Sequence, residues 1–359
     1  MKRLQVFAAL AAAVTVLFAI EPGQTELEMN GWFRYTNESE SFGVTEPSAS
    51  RFSLERGYVR MKHQWAPKFE SKLTIDIHSS DKYAEGATVR LKEAYLNYKP
   101  GGGDLNLTAG LQKHYFSSVY SWDYTNPFKS LADAQGLCAS ADYGLTANGY
   151  LPAGFGEYQA GIYNGEGYKG AGKNVNLSPA LVGNVRVAPL TGVKVGVSGR
   201  YNAVGKTSGS VTEKNVLGVA PMLKLAFGPV AVEGEYIIWN HTNETTDTLG
   251  AVTSTDHVQS GLCVVPVVSL AKRRFEVHGR FDMWDHKQDG EGDDGKSLLR
   301  YGAGVNWHPQ RREKGKPGVA LQFAWLRTQL KSEGSEPVDE LIAQFRFEWS
   351  TVIPQFIGG

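Results

Sequence analysis

The sequence predicts an all-β protein, a transmembrane antiparallel up-and-down β-barrel of about sixteen strands with short periplasmic turns and long external loops. Three observations carry this. Stretches of about ten residues recur in which apolar and polar side chains alternate. Tight turns and longer polar loops take turns between them, as in a barrel whose two ends face different compartments. The chain also opens with the pattern of an export signal.

Lys2 and Arg3 precede an apolar run from Val6 to Ile20, and Ala19 is a small residue suited to a cleavage point. A charged start followed by a short apolar core is the layout of a secretory signal. The expected division is a signal peptide over residues 1–19 and a single barrel over 20–359. No later stretch approaches the roughly 20 apolar residues of a spanning helix, so any span must be made of strands. Cleavage would remove Lys2 and Arg3 from 37 basic residues, leaving 35 against 37 acidic ones. That balance gives no reason to expect nucleic acid as a partner. Only Cys138 and Cys263 are present. They exclude a disulfide framework and read as small buried thiols on separate strands.

The strands follow in order. Residues 27–36 set Leu27, Met29, Phe33 and Tyr35 against Glu28, Asn30, Arg34 and Thr36. Residues 52–64 carry Arg56, Tyr58, Arg60 and Lys62 on one face. Residues 69–78 oppose Phe69, Leu73, Ile75 and Ile77 to Glu70, Lys72, Thr74, Asp76 and His78. Residues 89–98 slip out of phase, which points to a bulge. Further strands fall at 105–111, 140–150, 157–164, 180–187, 193–202, 215–227, 230–240, 257–268, 274–285, 298–308 and 318–328. The last, 340–349, places Leu341, Ala343, Phe345, Phe347 and Trp349 on one face and Ile342, Gln344, Arg346 and Glu348 on the other. Residues 350–359 read as a C-terminal extension.

Tight breaks lie at 66–67, 100–104, 152–156, 189–192, 228–229 and 270–271. Longer loops lie at 37–50, 79–88, 113–137, 165–179, 203–214, 241–256, 286–297 and 331–338. The turn at 309–317, long and basic, departs from the rule. A soluble sandwich has many short strands but does not normally sort its loops this way. Propellers and β-helices need a repeated signature, and none occurs.

With the apolar faces turned outward, the opposite faces line a lumen. Basic candidates there are Arg34, Arg60, Lys72, Arg186, Lys194, Arg200, Arg274, Arg280, Arg300 and Arg346. Acidic candidates are Glu70, Asp76, Asp142, Glu233, Glu235, Glu276, Asp282 and Glu348. Unpaired charges in a dry core cost several kcal/mol each, whereas about sixteen strands leave a watery interior. The expected function is passive diffusion of small hydrophilic solutes and ions. The slight basic excess gives small anions a weak preference. Loop 113–137 is long and rich in aromatics, including Tyr115, Phe116, Tyr120, Trp122, Tyr124 and Phe128. It predicts either a constriction folded into the barrel, with Lys113, His114, Asp123 and Lys129 at the narrowest point, or a latch onto a neighbouring subunit.

The runs RFSLERGYVRMKHQ, VRLKEAYLNYKP, LNLTAGLQKHYF and ADAQGLCASADYGL lie within residues 51–151. Together they resemble the phosphate-selective porin O/P family. The resemblance implies a sixteen-stranded homotrimeric channel in the Gram-negative outer membrane, surrounded by its lipid, with an arginine ladder giving some members anion selectivity. In this chain the inward arginines are interspersed with carboxylates, and 10 residues follow Trp349.

No GxSxG, HExxH or P-loop string occurs, so no enzyme is expected. The 8 histidines are scattered, and His278 and His308 read as polar lumen residues. The acidic run 285–294 does not follow the order of a calcium loop, and no CxxCH is present, so neither metal nor cofactor is expected. Two other functions stay open beside the channel. One is a barrel sheath housing a separate electron-transfer cytochrome. The other is an exported soluble β protein that binds glycans.

Overall fold

A computed structural model describes residues 20–39, 49–79, 86–100, 104–122, 126–170, 178–208, 211–286, 296–311, 317–332 and 334–353. The expected signal at 1–19, Asp123 and most of the acidic run at 285–294 lie outside the described residues. The strands are β1 (Thr25–Ser39), β2 (Ala49–Ala66), β3 (Phe69–Ser79), β4 (Ala87–Tyr98), β5 (Asn106–Lys113), β6 (Ala141–Leu151), β7 (Gly156–Tyr163) and β8 (Ala180–Leu190). They continue as β9 (Val193–Ser208), β10 (Val211–Phe227), β11 (Val230–Thr246), β12 (Val252–Leu270), β13 (Phe275–Asp285), β14 (Leu298–Gln310), β15 (Gly318–Leu330) and β16 (Val338–Ile353). Each pairs with its sequence neighbours, and β16 pairs antiparallel with β1, so the sheet has no free edge. Closure satisfies every rung of the ladder internally, which a sheet in lipid must do.

The alternation read from sequence becomes two surfaces. Phe33, Leu145, Ile162, Leu181, Leu217, Ile238, Phe281, Phe323 and Phe345 are exposed on the outer wall. Near the short turns the exposed residues become aromatic, with Trp65, Phe69, Tyr150, Phe155, Phe227, Phe275 and Trp307. That is an apolar band edged by an aromatic girdle. Polar partners such as Thr74, Asp76, Gln112, Ser198, His278, Asn306, Gln322 and Gln344 are buried on the inner side.

Two bulges alter the inner face. Between β1 and β2 the register steps from Trp32↔Arg56 to Phe33↔Leu54, leaving Glu55 unpaired in the ladder. Between β3 and β4 it steps from Thr74↔Glu93 to Ile75↔Leu91, leaving Lys92. A bulge puts two successive side chains on one face. Glu55 therefore joins Arg56 inside, and Lys92 joins Glu93. The second bulge is the one the broken phase of 89–98 pointed to.

Three expectations need correction. The loops expected at 203–214 and 241–256 are largely strand: β9 and β10 run on to Ser208 and Val211, and β11 and β12 to Thr246 and Val252. Past the apolar band both faces of a hairpin meet water, so no alternation marks the continuing ladder. The C-terminal extension likewise begins as strand, with Ser350 to Ile353 paired to Glu28, Leu27, Glu26 and Thr25. Cys138 lies in a loop rather than on a strand, although both thiols are free and buried as expected.

Because residues 350–353 supply the closing rungs, a chain ending at Trp349 should fold less stably, by about 2–4 kcal/mol at roughly 1 kcal/mol per lost ladder bond. Urea titration of the heat-modifiable form measures this. An unchanged midpoint would show that these rungs contribute nothing.

Candidate pore and its constriction

The chain between β5 and β6 turns inward and crosses the barrel. Val119–Ser121 forms a single 3-10 turn and Leu131–Ala134 one helical turn. Irregular backbone away from bulk water must find partners for its N–H and C=O groups. The barrel wall supplies them. Arg34 donates to the Pro127 carbonyl at 2.6 Å and Arg280 to that of Lys129 at 2.6 Å. Arg186 donates to the Ser117 carbonyl at 3.1 Å and to Ser121 Oγ at 2.6 Å. Arg200 donates to the Leu137 carbonyl at 3.4 Å and also to that of Gly165, in the segment after β7, at 3.0 Å. Asn184 donates to the Tyr115 carbonyl at 3.0 Å.

One carboxylate serves the opposite need. Glu235 Oε2 accepts from Ser117 Oγ at 2.5 Å and from the Ser118 amide at 2.9 Å, while the Ser117 amide donates to Ser198 Oγ at 2.7 Å. Apolar packing completes the seat. Phe116 is fully buried against Trp239, with ring centroids 5.6 Å apart. Gly218 leaves the room: a Cβ there would stand 2.6 Å from Trp239 and 2.8 Å from Phe116. His114 is also buried, its ring 5.0 Å from that of Tyr163. Burial, with Arg200 nearby, holds His114 well below its usual pKa and therefore neutral.

The loop leans on β8 to β13 and leaves open space beside β1 to β5. That cavity measures about 470 Å³. Eight bases line it (Arg34, Arg56, Arg60, Lys62, Lys72, Lys92, Lys113 and Lys129) against six acids (Glu26, Glu28, Glu55, Glu70, Glu93 and Asp133). A second cavity of about 340 Å³ lies toward the short turns, with Lys113, Arg186, Lys194 and Lys224 against Glu157 and Glu233. Lys113 and Tyr120 line both cavities, so the neck between them lies there.

Most of these charges are paired across strands. Arg60 meets Glu28 at 2.5 Å, Lys72 meets Glu93 at 2.7 Å, and Arg56 meets Asp76 at 3.5 Å. Lys62 and Lys99 share Glu70 at 3.2 and 2.7 Å, and Arg34 is 3.6 Å from Glu55. Lys224 meets Glu233 at 2.8 Å, and Lys194 lies 3.8 Å from Glu157. Among the described residues the Lys113 ammonium has no carboxylate within 4.0 Å and no hydrogen bond.

The expected inward residues thus divide. Arg34, Arg60, Lys72, Lys113, Lys194, Glu70 and Glu233 border the two cavities. Arg186, which also borders the second cavity, Arg200, Arg280 and Glu235 face inward but are buried and hold the loop. Asp282 is buried with them, 2.7 Å from Arg280 and 3.4 Å from Arg300. Asp76 is buried, Arg346 pairs with Glu348, and Glu276 is 3.1 Å from His308. Asp142 caps the Gly165 amide at 2.7 Å. Arg274 is corrected: it lies exposed in the turn before β13, because the strand begins at Phe275. His114 is corrected too, being packed behind the loop rather than in the opening. Alternation missed Glu55 and Lys92, because a bulge turns both members of a consecutive pair inward; Glu28, Arg56 and Glu93 were in phase but not singled out as lumen residues.

No protein-family model matches the chain, and no curated protein does. Solved structures do. The outer-membrane channel DcaP of Acinetobacter baumannii superposes with a TM-score of 0.62 at 10% identity, covering 92% of this chain and 100% of its own. OmpT, an outer membrane protein of Vibrio cholerae in a trimer form, gives 0.60 at 11% identity, covering 90% and 99%. The anion-selective porin from Comamonas acidovorans gives 0.56 at 9%, covering 90% and 99%. At identities this low the likeness shows the fold alone, a closed sixteen-stranded antiparallel barrel shared with these outer-membrane proteins.

Replacing Glu235 by Leu would strip Ser117 Oγ and the Ser118 amide of their acceptor, at about 1–3 kcal/mol for each buried group left unsatisfied. Gly218→Leu would push on Phe116 from the other side. Both should unseat the loop, giving larger and noisier single-channel currents than wild type. Unaltered, quiet currents from both variants would mean that the loop is held by something else.

Proposed function

We propose that this chain is a porin: an outer-membrane channel for passive diffusion of small hydrophilic solutes and ions, with a modest preference for anions. The observation that carries the proposal is the neck at Lys113. Two cavities meet there, each with two more bases than acids, and the one charge lining both is a lysine that, among the described residues, has no carboxylate within 4.0 Å. In a narrow opening with low-dielectric walls, such a charge draws in anions and repels cations.

The outer wall supports a membrane setting, since an exposed apolar surface of this extent suits lipid and not water. That favours residence in a Gram-negative outer membrane over a soluble glycan-binding protein. The inward loop argues against the sheath. About 470 Å³ of open cavity is far too little for a folded cytochrome, when even a 100-residue domain has a radius of gyration of about 13 Å. Export through residues 1–19 and assembly as a homotrimer belong to the same proposal. The arginines, however, are not free to act as a selectivity ladder, because most of them are hydrogen-bonded to the loop or paired with carboxylates. Selectivity for phosphate among anions is accordingly not part of the proposal.

The test is a planar bilayer with detergent-purified full-length protein. Stepwise openings are expected, and across a potassium chloride gradient the reversal potential should carry the sign of chloride preference. Lys113→Glu should reverse that sign, whereas Lys68→Gln, in the exposed turn between β2 and β3, should leave it as it was. A cation-selective wild type, or a Lys113→Glu variant with unchanged reversal potential, would refute the assignment of selectivity to the neck.

A further inference from the structure

Beyond the wall, β11 and β12 continue as a hairpin to Thr246 and Val252. In it His241 and His257 stand directly opposite each other in the ladder. Their rings are 5.1 Å apart, centroid to centroid, and inclined by only 29°. Side chains alternate along a strand, so both occupy the face that holds Trp239 and Gln259, which are buried on the lumen side. Trp239 is the ring that receives Phe116 of the inward loop. The pair therefore sits one step further out, at the external mouth above the constriction. Both rings are only partly covered.

We infer that His241 and His257 form a binding site for a divalent transition-metal ion of the Zn²⁺, Cu²⁺ or Ni²⁺ class at the channel mouth. Neutral imidazole is a preferred ligand of these ions, which hard cations such as Mg²⁺ and Ca²⁺ do not share. Metal–nitrogen bonds of about 2.0–2.1 Å in tetrahedral geometry bring two ring nitrogens to roughly 3.4 Å from each other. Rings with centroids 5.1 Å apart on paired residues must turn their nitrogens toward one ion to reach this, and the ladder on either side fixes the backbones that carry them. Among the described residues no group of three or more His, Cys, Asp or Glu is arranged to hold a metal. The described residues thus contribute two ligands, and water completes their shell. A third imidazole, His286, lies one strand over, 3.2 Å from Gln259. It is turned to that amide and is not counted among the ligands. An ion held here would add positive charge to the vestibule that feeds Lys113.

Equilibrium dialysis of full-length protein against ZnCl₂ tests the inference, and it does so whether or not the barrel conducts. One Zn²⁺ per chain is expected. His241→Gln and His257→Gln should each weaken binding by at least about tenfold, since loss of even an outer partner of a metal ligand costs that much. His286→Gln should change it less than twofold, and excess Mg²⁺ should not compete. In wild-type protein Zn²⁺ should also protect His241 and His257 from acylation by diethylpyrocarbonate, read by mass spectrometry. This second measurement does not depend on how the variants fold. Absence of stoichiometric Zn²⁺, equal loss in all three variants, or unprotected rings at saturating Zn²⁺ would overturn the site and leave a stacked cross-strand pair.

Discussion

The backbone of a loop that enters a barrel cannot be left unsatisfied, and the rest of this interior follows from that constraint. The segment between β5 and β6 brings its own carbonyls and amides away from bulk solvent. Arg34, Arg186, Arg200 and Arg280 cover carbonyls of the loop, and Glu235 covers the hydroxyl and amide of Ser117 and Ser118. Each of these charged side chains reaches the lumen from a different strand. The four on β8 to β13 fix the loop against one half of the wall, Arg34 reaches it from β1, and the open path is displaced to the half beside β1 to β5.

What remains for solutes is then a matter of subtraction. Along β1 to β5 the charges neutralise each other in cross-strand pairs, Arg60 with Glu28, Lys72 with Glu93, and Lys62 and Lys99 with Glu70. Opposed charges on neighbouring strands stabilise a sheet modestly and leave little net field. The bulges at Glu55 and Lys92 add one acid and one base to this wall. A channel with many charges can in this way have a selectivity set by few. Lys113, at the end of β5 where strand becomes loop, lines both cavities and has no carboxylate within 4.0 Å among the described residues.

Much of this was legible in the sequence because lipid imposes a strict rule on it. Phe345, Phe347 and Trp349 alternate with Gln344, Arg346 and Glu348 since one face must be apolar, and every strand under that rule was found. Where the rule lapses, sequence reading lapsed with it. The hairpins beyond the band, 203–214 and 241–256, meet water on both faces and looked like loops. Bulges broke the phase, so Glu55 and Lys92 escaped notice. The inward direction of Arg186, Arg200 and Arg280 was correct, but alternation gives a face and not a partner. That these arginines serve the loop backbone could not be read from spacing, because the loop carbonyls they meet are between 63 and 151 residues away in the chain.

The seat of the loop on the inner wall decides where the open path runs. Ser117 and Ser198 are joined by a hydrogen bond of 2.7 Å from the Ser117 amide to the Ser198 hydroxyl. With Ser117→Cys and Ser198→Cys introduced together, mild oxidation of the folded protein in lipid should form an internal disulfide in nearly every chain, leaving conductance as in wild type. Thiols that stay free and react rapidly with a bulky maleimide added from outside would contradict it, because the loop would then lie outside the barrel.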